Sequence, residues 1–71
     1  MSIRLSASQI KTVESKLYEL ERDLLGFEHV LQRFRSECPP LNSVLRKIRE
    51  LRLAVSNCKK DIEQYKRETL V

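Results

Sequence analysis

The stretch RFRSECPPLNSV, residues 33–44, decides how this chain folds. Pro39 and Pro40 lie in its middle and are the only two prolines in the 71 residues. A residue that precedes proline is pushed out of the helical region, so a helix arriving from the N-terminal side is predicted to stop near Glu37. A second helix can begin at once. Pro40 fits a first turn, where its missing N–H costs nothing, and Asn42 or Ser43 offers an alternative N-cap. The expected turn is Pro39–Leu41, inside a segment of about residues 38–42.

On the N-terminal side of that turn, apolar residues fall at Ile10, Val13, Leu17, Leu20, Leu24, Phe27, Leu31 and Phe34. On the C-terminal side they fall at Leu41, Val44, Ile48, Leu51, Val55, Cys58, Ile62 and Tyr65. Both runs step by three and four without interruption, the a/d spacing of helices that pack along a seam. Ser6-Ala7-Ser8-Gln9 reads as a capping box, with Ser8 as a second possible cap. One helix is therefore expected over about residues 7–37 and another over about 42–67, each roughly 40 Å long. Equal lengths and a short connection predict an all-α antiparallel two-helix hairpin, a single helical domain over residues 1–71.

Charge tests the orientation independently. In the first helix the e positions beside the seam are Glu14, Glu21, Glu28 and Arg35; in the second they are Leu45, Arg52, Lys59 and Lys66. Antiparallel packing sets e against e, which matches Glu14 with Lys66, Glu21 with Lys59 and Glu28 with Arg52. The g edge is less regular. It sets Lys16 against Glu68 and Glu37 against Lys47, but also Asp23 against Asp61. Exposed pairs contribute only a few tenths of a kcal/mol each, so their value lies in register.

Composition narrows the function classes. With one Gly, two Pro and no Trp, the chain lacks the turn residues that sandwiches, barrels and nucleotide-binding α/β units need. A hydrophobic fraction of 41% and a net charge of +4 also argue against disorder. Two cysteines, Cys38 and Cys58, are too few for a disulfide framework, and no secretory signal or membrane span is visible, so a reducing, cytoplasmic setting is expected. Cys58 reads as a small core residue at a d position.

No catalytic or metal constellation is found, and no cofactor is expected. His29, the only histidine, falls at the outermost f position with no Ser, Cys or second His at a useful spacing. There is no Gly-rich phosphate loop. The chain is read as non-enzymatic.

Function is expected to lie in surfaces. Tyr18, Leu25, Val30, Leu45 and Leu53 fall off the a/d seam and are candidates for a second apolar face, buried against a protein partner or a second copy through helix packing. Gly26, next to Leu25, is either a tolerant exposed site or a point of close approach by such a partner. The second helix holds the charge excess, because residues 39–71 carry eight basic and four acidic side chains whereas residues 1–38 carry six of each. Arg46, Lys47, Arg49 and Arg52 crowd its start and form a candidate basic patch for RNA or another acidic partner. Nucleic acid is not the favoured partner, since aromatic platforms are scarce and the e-position bases already answer glutamates. The final Glu68-Thr69-Leu70-Val71, with Thr69 and Val71 as key residues, has the form of a PDZ-domain ligand.

In size and layout the chain is similar to the small helical-hairpin chaperones that hold type III secretion needle subunits. The resemblance is architectural and implies a chaperone or co-chaperone role. More generally the expectation is a small helical subunit, adaptor or chaperone. Its thin core should be completed into a bundle by self-association or by a partner.

Overall fold

The computed structural model describes residues 3–69. It contains two helices, α1 (Ala7–Phe34) and α2 (Leu41–Thr69), packed against each other as an antiparallel hairpin 51 Å long. The start of α1 follows from its first residues. Ser6 has extended backbone and its side chain accepts from the Gln9 N–H at 3.3 Å, while the Gln9 side-chain oxygen accepts from the Ser6 N–H at 2.9 Å. This is the reciprocal capping box, so Ser6 and not Ser8 is the cap.

The first helix ends three residues earlier than the proline rule alone predicts. The Phe34 carbonyl accepts from both Glu37 N and Cys38 N, and this shared acceptor closes α1 into a turn at 35–37. The prolines then act as the entry to α2. Leu41, Asn42 and Ser43 donate to the carbonyls of Cys38, Pro39 and Pro40 at 3.0, 3.0 and 3.3 Å, a tight three-residue spacing. Pro39 and Pro40 thus occupy positions where backbone N–H groups would have had no partner. Asn42 and Ser43 are already helical and are not the cap.

The seam is rotated from the expected one. The buried side chains are Ile10, Leu24, Leu45, Val55 and Ile62. Four of these five are a residues, and the fifth, Leu45, is an e residue. Around them the half-buried set on α1 includes Glu14, Leu17, Glu21, Glu28 and Leu31, and on α2 Ile48, Arg52, Lys59 and Lys66. Contact therefore runs along a and e, not along a and d. Of the d residues, Leu20, Phe27, Phe34, Val44, Leu51 and Cys58 are exposed, while Val13 and Tyr65 near the open end are half-buried. Two corrections follow. Leu45, taken as an off-seam surface residue, is only 3% exposed and is the best-buried residue of the hairpin. Cys58, taken as core, is exposed and unpaired, as is Cys38.

The e-edge ion pairs explain the rotation. Lys66 Nζ reaches Glu14 Oε1 at 3.2 Å, Lys59 Nζ reaches Glu21 Oε2 at 3.2 Å, and Arg52 Nη1 donates to Glu28 Oε2. All three pairs are those expected from charge. Successive residues advance 100° around a helix, so e lies about 40° to one side of a and d about 60° to the other. Drawing e toward e across the seam swings d out. It also swings g farther away, which is why the g-edge residues find local partners: Lys16 pairs with Glu19, Lys47 with Glu50 and Asp23 with Arg22. Arg52, Lys59 and Lys66 are half-buried beside the a residues, with their charged ends on the α1 carboxylates.

Candidate interaction surface

The rotated seam gives the hairpin two unlike sides. On the e side, carboxylates and bases form a continuous ladder. Its middle rung is layered: the Lys59 ammonium lies 3.9 Å from the centroid of the Tyr18 ring as well as against Glu21, and its side chain is only 22% exposed. Tyr18 is thus a cation–π roof over an ion pair. At the rung nearest the turn, Glu28 accepts from Arg52 and, at 3.4 Å, from Arg49 Nε, and is left 12% exposed. The hydrogen bond from Arg52 holds the Glu28 carboxyl below its ordinary pKa; partial burial opposes this, and the charges of Arg52 and Arg49 reinforce it. Arg52 Nε is buried and has no hydrogen-bond partner among the described residues, a local cost of packing a guanidinium against the seam.

The opposite side carries no ion pair between the two helices among the described residues; its flank ion pairs each lie within one helix. In an antiparallel pair with e facing e, the d residues of both helices project to the same side. Leu20, Phe27 and Phe34 of α1 lie there with Val44 and Leu51 of α2, and Val30 flanks them. Phe27 is 60% exposed and Leu51 45%. Each e-edge pair has residue numbers that sum to 80, which fixes the register: Phe27 stands at the level of Leu51, Phe34 near Val44 and Leu20 near Cys58. The result is an apolar strip about 20 Å long, judged by the helical rise from Leu20 to Phe34.

The five interface candidates read from sequence divide between these sides. Val30 borders the apolar strip. Tyr18, Leu25 and Leu53 are exposed, but they lie on the ion-pair side, and Leu45 lies inside the seam. Periodicity hides the strip, because its residues occupy d positions and the a/d pattern assigns d to the core. The signal that could have found it was the run of complementary charges at e. A seam drawn to e must release d.

The basic candidates are mostly engaged. Arg49 and Arg52 share Glu28, Lys47 pairs with Glu50 at 3.5 Å, and Arg46 is exposed. In the C-terminal motif, Thr69 is the last residue of α2, and Val71 lies outside the described residues. Among the described residues no group of three His, Cys, Asp or Glu side chains could hold a metal ion. Among the described residues no helix is long and apolar enough to cross a membrane. A cavity lined by Arg22, Asp23, Gly26, Phe27 and Val30 is a shallow depression at the edge of the strip. No protein-family model matches the chain, and neither curated proteins nor solved structures yield a match.

Proposed function

We propose that this chain is a non-catalytic protein–protein interaction module, a small helical subunit, adaptor or chaperone that buries the Phe27 strip against a helical partner. The observation that supports the reading is the apolar strip itself. Its side chains lie on the side of a 51 Å rod opposite the ion pairs that join the two helices. Burying a Phe, Leu or Val side chain fully contributes about 1.5–3 kcal/mol, and contiguous exposed strips of this kind mark interaction surfaces. The architectural resemblance to needle-subunit chaperones is one form of this reading, with an amphipathic client helix on the strip.

The test is cross-linking mass spectrometry in the native host, with Phe27→Glu as the comparison. Cross-links are expected from the α1 and α2 edges that border the strip, and they should vanish in a Phe27→Glu chain whose circular dichroism is unchanged. If those contacts persist, and salt-dependent RNA association is lost on removing the charges of Arg46, Lys47, Arg49 and Arg52, function belongs to the basic helix instead.

A further inference from the structure

We propose that the occupant of the Phe27 strip is a basic amphipathic helix of a different protein, with Lys or Arg on both edges of its apolar stripe. The inference rests on reading the strip as an interaction surface and names the chemistry of the partner.

The observation that carries it is how charge is divided by the a/e seam. On a helix, g and c follow d at about 60° and 100° away from the seam, while b and f follow e at the same angles. Positions g and c therefore border the strip, and b and f lie on the ion-pair side. Two cavities show the placement: one joins Asp23, Gly26 and Val30 to Phe27, the other joins Asp61, Gln64 and Glu68 to Tyr65. Within the two helices, g and c hold five acids, Glu19, Asp23, Glu50, Asp61 and Glu68, against three bases, Lys16, Arg33 and Lys47. Positions b and f hold one acid, Glu63, against six bases, Lys11, Arg22, Arg46, Arg49, Lys60 and Arg67. A chain of net charge +4 thus keeps an acidic border around its apolar strip.

Local pairing sharpens that border. Lys16 and Lys47 are answered within their own helices, by Glu19 at 3.4 Å and Glu50 at 3.5 Å. Asp23, Asp61 and Glu68 are left against Arg33. Asp23 has only the exposed Arg22 at 3.8 Å, Glu68 accepts from the neutral Gln64 amide, and Asp61 has no ion pair among the described residues. An a/d seam would set Asp23 against Asp61. The a/e seam moves them to opposite borders of the strip, about one to two turns apart along the rod. A helix laid on Leu20, Phe27 and Leu51 runs between them, so a base on each of its edges answers one aspartate. A second copy would bring acidic border to acidic border, and the basic b and f side repels the same helix, which confines it to the strip.

The strip also sets the length of the occupant. At the open end, Val13 and Tyr65 are half-buried, and Ile3 of the same chain borders the cavity beside Tyr65. The exposed layers are Leu20 with Cys58, Phe27 with Leu51 and Phe34 with Val44. They span about 20 Å, which some 14 residues of helix cover.

Two synthetic peptides of about 18 residues test the charge, each with Leu at a and d and Gln at b, c and f. One carries Lys at every e and g position and the other Glu, so that neither pairs with itself. Fluorescence anisotropy with the full chain should show the Lys peptide binding at least about tenfold more tightly than the Glu peptide. Phe27→Gln should weaken binding at least about thirtyfold, as for a central hot spot. Asp61→Lys should narrow the preference at least about threefold. Glu63→Lys, an equal charge change on the ion-pair side, should leave it intact. All three positions are exposed, so helical circular dichroism should be retained. Equal affinities, or tighter binding of the Glu peptide, overturn the basic partner. Binding of neither peptide overturns it too, and the strip itself is then judged by the cross-linking comparison in the native host. A preference that Glu63→Lys erases and Asp61→Lys spares overturns the strip border as its source. A wild-type dimer in sedimentation equilibrium that Phe27→Gln dissociates overturns the different protein in favour of a second copy.

Discussion

Leu45 and Leu51 discriminate between the two possible seams, and replacing each by alanine measures which one the molecule uses. In an a/d hairpin Leu51 would be core and Leu45 peripheral. Here Leu45 is 3% exposed and Leu51 is 45% exposed. Truncating a fully buried leucine loses its transfer free energy and leaves a cavity, together about 2–5 kcal/mol. A thin two-helix seam collapses readily, so the lower half of that range, about 2–3 kcal/mol, applies to Leu45→Ala. Leu51 has one side in solvent and leaves no closed cavity, so about half the transfer term remains, roughly 1 kcal/mol. Small single cores supply only about 3–5 kcal/mol in all, so Leu45→Ala should bring the isolated hairpin close to its unfolding midpoint at room temperature. A loss of that size should lower Tm by roughly 10–20 °C. Both substitutions are best made in the Phe27→Glu background, which removes any association through the strip, and followed by urea titration of the helical circular dichroism. If Leu51→Ala costs as much as Leu45→Ala in that background, the a/e seam is wrong.

Gly26→Ala should stabilise α1 by about 0.5–1 kcal/mol, since a Cβ at Gly26 meets nothing within 4 Å; thermal unfolding checks this, and an unchanged oligomeric mass would show that no partner backbone needs the glycine. Ser6→Ala should cost about 0.5–2 kcal/mol and speed amide hydrogen exchange in the first turn of α1 far more than in the seam. The Glu28 carboxyl titrates below its ordinary value of 4.5 in the folded chain. The unfolded chain therefore takes up the proton first, so the contribution of Glu28 is fully present above that value and is lost as pH falls through the lower folded one. Glu28→Gln should accordingly flatten the acid limb of the stability–pH curve below pH 4.5, and an acid limb unchanged by the substitution would show that the Arg52 contact does not bias the carboxyl. Lys59→Met should weaken the hairpin less than Lys59→Ala, because its stem covers the seam under Tyr18 and methionine retains that apolar length; equal losses would assign the whole effect to charge.

Much of this architecture is written in the one-dimensional pattern. Eight apolar positions in each half at three-four spacing give two helices, Ser6 and Gln9 supply the start of the first, and Pro39-Pro40 separates them. The antiparallel choice is equally local in origin, because Glu14, Glu21 and Glu28 count forward at the same interval at which Lys66, Lys59 and Arg52 count back. These features depend on backbone propensity, on proline chemistry and on the order of charges, all of which a sequence states directly.

The tertiary structure alone decided how far each helix is turned about its own axis. The a residues can face a neighbour with either d or e beside them, and the two solutions differ by some 50° of rotation. Periodicity assigns residues to faces but does not weigh faces against each other. That weighing compares apolar area at d with three ion pairs, one cation–π contact and the buried Leu45 at e, and each of those terms exists only when the second helix is in place. One neighbouring helix can cover one stripe. Once a and e are covered, Leu20, Phe27, Phe34, Val44 and Leu51 are left in solvent, so the residues that look most like core become the surface on which the proposed function rests.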